Sequence, residues 1–272
     1  MTTAADWAGR TGEVWAEEWR RTDRSFAPVD AAIVAAVDGL DLPPEPRLLD
    51  IGCGAGATSL ALAHRLQRAS VTGIDLSAAL IAAARVRDAG GRARFIVADA
   101  GRWTDATSFD LLVSRHGVMF FDDPRAAFGH LHNLAHSGAS LVFSCFDALA
   151  RNQWVSALAP LLPPSPPADP GAPGPFAFAD RDFVAGMLAE AGWRDAAVDA
   201  LDYDYVAGAG DDPVADAVAM FGRIGPTAPA MRSLDGSARE RLLDGIARIC
   251  EEHRRDDRVI FDASAWIWKA IA

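Results

Sequence analysis

Between residues 47 and 146 the chain alternates short apolar runs with longer stretches whose apolar positions recur every three or four residues. The runs at 47–51, 70–74, 93–97, 109–114 and 141–146 read as buried strands. The stretches at 58–67, 77–88 and 124–136 carry the helical period, with Ser77 as an N-cap and Pro124 in a first turn. Strands alternating with helices of this length predict a parallel, doubly wound sheet joined by right-handed crossovers.

Flanking segments extend the pattern. Residues 5–40 predict two helices, the second at 30–37 and rich in alanine. Beyond Asp180 a helix, a strand at 197–206, two helices at 213–223 and 237–253, and a final strand at 259–270 are expected. Eight of the 16 prolines fall between Pro160 and Pro175, and with Phe176 and Phe178 they read as a semi-rigid lid. The expected division is a helical cap at 1–40, an α/β core at 41–146, the lid at 147–179, and a C-terminal part at 180–272 that completes the sheet around a helical insertion at 212–255.

Composition narrows the classes of function. With 272 residues, 50% of them apolar, the chain suits an ordinary globular protein. Its 26 basic against 37 acidic residues leave a net charge of −11, which disfavours nucleic acid and anionic membranes. Cys53, Cys145 and Cys250 have no paired spacing, so no disulfide framework or zinc site is predicted. Neither a secretion signal nor a membrane span is evident, which places the expected protein in the cytoplasm.

The stretch Asp50-Ile51-Gly52-Cys53-Gly54-Ala55-Gly56 follows the first strand. Alternate glycines there permit a tight turn and a close approach of ligand to backbone. Gly52, Gly54 and Ala57 also satisfy the loose dinucleotide pattern, so a nicotinamide-dependent oxidoreductase using NAD(P) is one alternative. Asp75 ends the second strand 19 residues after Gly56, where an acid accepts from ribose hydroxyls in either case. Asp50 separates the two readings. A carboxylate at the mouth of the loop opposes a pyrophosphate and suits a ligand bearing an ammonium and a sulfonium. Its other role would be that of a turn former.

Three further motifs follow in order: Thr72-Gly73-Ile74-Asp75-Leu76-Ser77, Val97-Ala98-Asp99-Ala100, and Phe109 to Phe121. Together with the glycine loop they resemble the motif set of class I S-adenosylmethionine-dependent methyltransferases. More loosely, the segment from Asp169 to Asp180 and the tryptophan-bearing N-terminus resemble a bacterial, small-molecule branch of that family. The resemblance implies a Rossmann-like seven-stranded sheet, mostly parallel with an antiparallel last strand, under a helical roof. It implies S-adenosylmethionine as cofactor, with Gly52, Gly54 and Gly56 along its methionine end and Asp50 near its amino group. Asp75 would hold the ribose, Leu76 would pack on the adenine, and Asp99 and the Ala100 amide would read the ring. Ser114 and Arg115 would face the methionyl group. One departure is His136-Ser137-Gly138, where the family usually has Pro-Gly-Gly.

Aromatic faces favour a sulfonium, so Trp15, Trp19, Phe120 and Phe121 are either site residues or core packing. Trp15 and Trp19 stand one helical turn apart, on a helix that the resemblance places over the cofactor. His116 is either a general base for a hydroxyl or amine acceptor or a neutral part of the pocket wall. His132 and His136 have the i, i+4 spacing of metal ligands, but no acid accompanies them, and no metal is expected. The expected reaction is in-line methyl transfer to an oxygen or nitrogen of a small molecule, with a cofactor-binding protein lacking transfer activity as the other alternative. The sequence leaves the oligomeric state open.

Overall fold

A computed structural model describes residues 4–164 and 172–272. Part of the proline-rich segment, including Asp169, Pro170 and Gly171, lies outside the described residues. Three helices open the chain: α1 (Ala4–Ala8), α2 (Arg10–Glu17) and α3 (Trp19–Asp38). The alternating core follows as β1 (Arg47–Ile51), α4 (Ala57–Arg65), β2 (Ser70–Asp75), α5 (Ala78–Arg87), β3 (Ala93–Val97), β4 (Phe109–Arg115), α6 (Pro124–Leu134) and β5 (Ala135–Phe146). The remainder comprises α7 (Gln153–Ser156), α8 (Arg181–Glu190), β6 (Arg194–Ala209), α9 (Pro213–Phe221), α10 (Ala228–Ser233), α11 (Gly236–Glu252), β7 (Arg254–Arg255) and β8 (Arg258–Ile271).

The sheet runs in the order β3-β2-β1-β4-β5-β8-β6. Strands β1 to β5 pair in parallel, and β8 lies antiparallel between β5 and β6. The seven long strands are those expected; the eighth is the two-residue β7, paired with β8. Helices on both faces bury the middle strands, so Leu48 and Leu49, Leu111 to Val113, and Leu141 to Phe143 are all inaccessible. Burying each such side chain contributes about 1.5–3 kcal/mol.

Capping sets the helix starts. Ser77 Oγ accepts from the Leu80 amide, and Asp123 and Asp180 do the same for α6 and α8. Three expectations change. The two N-terminal helices become three, divided at Gly9 and Glu18, and α3 runs unbroken through Pro28 for 20 residues. Its buried face of Phe26, Val29, Ile33 and Val37 outweighs the one hydrogen bond that proline removes. A break at Glu18 leaves Trp15 on α2 and Trp19 on α3, not on one helix. Helix α6 stops at Leu134 and passes directly into β5, so His136 is an exposed strand residue and no helix terminus.

Strand order reverses between β1, which is flanked by β2, and β4, which leads to β5. In an open α/β sheet the crevice beyond the carboxyl ends of those strands is where ligands bind.

Candidate active site

A cavity of about 880 Å³ opens at this switch point, toward the upper end of the range for small-molecule sites. Its floor is the loop after β1. Gly52 there has φ +63°, and a Cβ on it would fall 2.9 Å from the Cα of Gly117, so backbone packs directly on backbone. The Ser114 hydroxyl, inaccessible on β4, donates to the Ile51 carbonyl at 2.7 Å and ties the two strand ends together.

Asp50 is buried beneath the loop and lines the cavity. Its Oδ2 accepts from the Ser59 hydroxyl at 2.5 Å, while Oδ1 has no hydrogen-bond partner. Burial pushes its pKa up to about 7, against the Ser59 hydrogen bond and the Arg115 charge, with Asp30 and Asp75 adding to the rise. Asp75 is also pushed up by burial, against the hydrogen bonds it accepts from the amides of Ser77 (2.8 Å) and Gly54 (2.9 Å). Asp99 accepts from the Gly101 amide at 2.9 Å.

Arg115 reaches the cavity from the end of β4 and pairs with Asp30 at 2.5 Å and Asp23 at 3.5 Å. Burial opposes its charge, but Asp30, Asp23 and Asp50 more than offset that and keep it protonated. Asp23 also binds Arg87 at 2.6 Å, and the Arg87 guanidinium lies 3.9 Å from the Trp19 ring. Helix α3 is thereby bolted across the glycine loop by charges from α5 and β4.

Among the expected site residues, Trp15, Trp19, Asp50, Gly52, Gly54, Asp75, Leu76, Asp99, Ala100, Arg115 and His116 line this one cavity. Gly56 and Ser114 do not. Gly56 caps the start of α4 beside the Phe95 ring, and Ser114 is spent on the Ile51 carbonyl. Pro175 and Phe176, from the segment expected to be a lid, line the cavity. The roof beyond residue 212 comes from the 223–226 turn and α10, while α9 and α11 stand behind it.

Several cavity residues, Phe176 of the expected lid apart, escaped the sequence reading. Trp7 packs edge-on against Trp15 and Phe120, and its buried Nε1 has no partner. Phe26, Phe146, Trp154, Phe176 and Tyr205 form a contiguous aromatic wall. They come from α3, β5, α7, the lid and β6, a convergence with no local signature. Trp7, eight residues before Trp15, offered the one periodic hint. The histidines of α6 go elsewhere: His130 bonds the Trp103 carbonyl and His132 packs on Trp193. Among the described residues no three His, Cys, Asp or Glu side chains form a metal-binding group, and no helix is long and apolar enough to cross a membrane.

Residues 48–138 match the family model of a methyltransferase domain. A trans-aconitate 2-methyltransferase of Methylobacterium radiotolerans is 31% identical over 214 residues, covering 75% of this chain and 77% of that protein. The chain belongs to the S-adenosylmethionine-dependent methyltransferases. Its cofactor is S-adenosylmethionine. A malonyl-[acyl-carrier protein] O-methyltransferase of Paenibacillus sp. (strain JDR-2) is 35% identical over 108 residues, spanning 38% of this chain and only 39% of that protein. In fold, the methyltransferase resembles the Haemonchus contortus phosphoethanolamine N-methyltransferase 2 crystallised with S-adenosyl-L-methionine. The TM-score is 0.57 at 16% identity, over 100% of this chain and 60% of that one. The unpartnered Oδ1 of Asp50 fits this cofactor: a buried acceptor beside a glycine loop calls for a cationic donor, which the methionyl ammonium is.

Proposed function

We propose that this methyltransferase moves the methyl group of S-adenosylmethionine onto an oxygen or nitrogen of a small, partly apolar molecule. The reading rests on one observation: a single cavity is lined both by Asp50 and Asp75 and by the aromatic wall of Phe26, Phe146, Trp154, Phe176 and Tyr205. Asp50 would take the cofactor's ammonium and Arg115 its carboxylate, with Gly52 and Gly54 along the chain between them. Asp75 would hold the ribose, Leu76 would lie on the adenine, and Asp99 and the Ala100 amide would meet the ring edge. Trp15 and Trp19 would close over the cofactor from the N-terminal side. Gly56 and Ser114 would act through the backbone they position.

Bound there, S-adenosylmethionine supplies a methyl group already activated by the sulfonium. The protein's part is to align the acceptor and exclude water, worth several kcal/mol of the barrier when the geometry is right. The aromatic wall suits an acceptor with an apolar body. The relatives named for trans-aconitate and for O-methylation of malonyl-[acyl-carrier protein] support oxygen over nitrogen. A net charge of −11 supports a small-molecule partner over nucleic acid.

Calorimetry with S-adenosylmethionine and its demethylated product tests the cofactor half, where binding is expected and Asp75→Ala should weaken it. A panel of small acceptors, assayed for thioether release, tests the transfer half. Binding without release from any acceptor would instead identify a cofactor-binding protein.

A further inference from the structure

Trp7, on α1, brings a buried donor to the cavity wall without an acceptor. Its indole meets Trp15 of α2 edge-on at 5.3 Å and Phe120, just past β4, at 5.1 Å. Nε1 is shut off from solvent and has no hydrogen-bond partner among the described residues. The flanking rings cannot supply one, because a phenyl ring carries no lone pair and an indole N–H only donates. A buried donor left unpaired costs free energy. Little else holds α1 down, since none of its residues is fully buried.

Packing sets this residue beside the turn that follows β2. A Cβ on Gly12 would fall 2.2 Å from Ser77 Oγ and 2.3 Å from the Trp7 carbonyl, so Trp7 and Ser77 flank one glycine. The Ser77 amide in turn donates to Asp75 Oδ1 at 2.8 Å, and the Gly54 amide donates to Oδ2 at 2.9 Å. A carboxylate oxygen has a second lone pair, so Asp75 can still accept protons from a pair of hydroxyls. A hydroxyl that gives its proton to Asp75 keeps lone pairs of its own and can take a donor. Trp7 Nε1–H is a donor that lacks an acceptor, in a residue lining the same cavity as Asp75.

We propose that Trp7 binds the cofactor through Nε1–H, donating to a ribose hydroxyl oxygen whose own proton goes to Asp75, and that α1 is thereby a strap the cofactor fastens. This deepens the reading of Asp75 as the ribose acid and rests on it. The hydroxyl is held from two sides, its proton by Asp75 and its lone pair by Trp7, an arrangement that a deoxyribose cannot complete. No step of the transfer passes through Trp7, which binds and does not react. Fastening α1 also steadies Trp15, whose ring meets the Trp7 indole. The cofactor enters before α1 closes, because only the cofactor gives Trp7 its acceptor.

Proton–nitrogen correlation of the tryptophan indoles, in the whole chain titrated with S-adenosylhomocysteine, reads the donor directly. The Trp7 signal is assigned by its loss in Trp7→Phe, a change that keeps a ring against Trp15 and Phe120 and removes the N–H. Saturation should move the Trp7 indole proton downfield and slow its exchange with solvent. A signal that neither moves nor gains protection overturns the proposal. Calorimetry then separates the hydrogen bond from lost packing. Trp7→Phe should raise Kd for S-adenosylhomocysteine by about five- to tenfold, the loss of one hydrogen bond. The same penalty should hold for one of its 2′-deoxy and 3′-deoxy analogues and fall below about twofold for the other, which lacks the accepting oxygen. An equal penalty with all three ligands makes Trp7 a packing residue and overturns the proposal. An Asp75→Ala penalty that is equal for all three defeats the ribose assignment instead, while the Trp7 signal still reports its own hydrogen bond.

Discussion

The Ser59 hydroxyl donates to Oδ2 of Asp50 at 2.5 Å and leaves Oδ1 as the free face of a buried carboxylate. Burial is what raises this group to about 7, and Ser59 and Arg115 only partly counter it against Asp30 and Asp75. The ligand-free protein thus keeps Asp50 protonated below that pH, and an ammonium prefers the ionised form. Affinity for S-adenosylmethionine should fall by up to about tenfold per pH unit below 7. Calorimetry between pH 5.5 and 8 checks the slope, and Asp50→Asn should flatten it. Ligand-free stability has the opposite sign: it is highest where Asp50 is protonated and declines as pH rises from the ordinary carboxylate range through 7.

Gly12 holds α2 against the start of α5. A Cβ there would stand 2.2 Å from Ser77 Oγ and 2.3 Å from the Trp7 carbonyl, so both neighbours would have to move. Gly12→Ala should push α2, and with it Trp15, off the cofactor. Because a displacement of about 1 Å can cost as much as a hundredfold in rate, kcat/KM should drop by tens of fold or more. The urea midpoint should move little, since α1 and α2 bury few side chains.

Glu18, at the joint between α2 and α3, is buried and binds Arg21 at 2.5 Å and Arg223 at 2.6 Å. It therefore ties the N-terminal cap to the turn that roofs the cavity. Glu18→Gln should cost roughly 1.5–3 kcal/mol, as for a hydrogen bond to a charged group. Urea denaturation measures it, and KM for the acceptor should rise because the roof is loosened.

Phe176 joins the aromatic wall, against Trp154 at 6.4 Å and Phe146 at 5.9 Å. Phe176→Ala should enlarge the acceptor end and shift preference toward bulkier acceptors, read as kcat/KM across a size series. The stability loss should stay below the roughly 3–5 kcal/mol of a fully buried phenylalanine, because Phe176 is half-buried. An unchanged size preference would remove Phe176 from the acceptor wall.

By itself the sequence determined the sheet and the glycine-loop end of the cavity. Leu48-Leu49, Leu111 to Val113 and Leu141 to Phe143 are local apolar runs, and a run buried on both faces needs no distant partner to be recognised. Asp50, Gly52, Gly54 and Asp75 were legible for a related reason: a loop between adjacent parallel strands places its residues within a few positions of the ligand. Where a long-range contact competes with a local rule, the local rule lost. Pro28 did not stop α3, whose buried face binds the rest of the fold, and the break that parts Trp15 from Trp19 falls at Glu18, which pairs with Arg223, 205 positions away. Only the tertiary structure decided the acceptor end. Phe26, Phe146, Trp154, Phe176 and Tyr205 meet at one cavity although α3, β5, α7, the segment before α8 and β6 are far apart in sequence. His116 gained its partner there too, since the Ser144 hydroxyl 3.3 Å from its Nδ1 comes from the neighbouring strand.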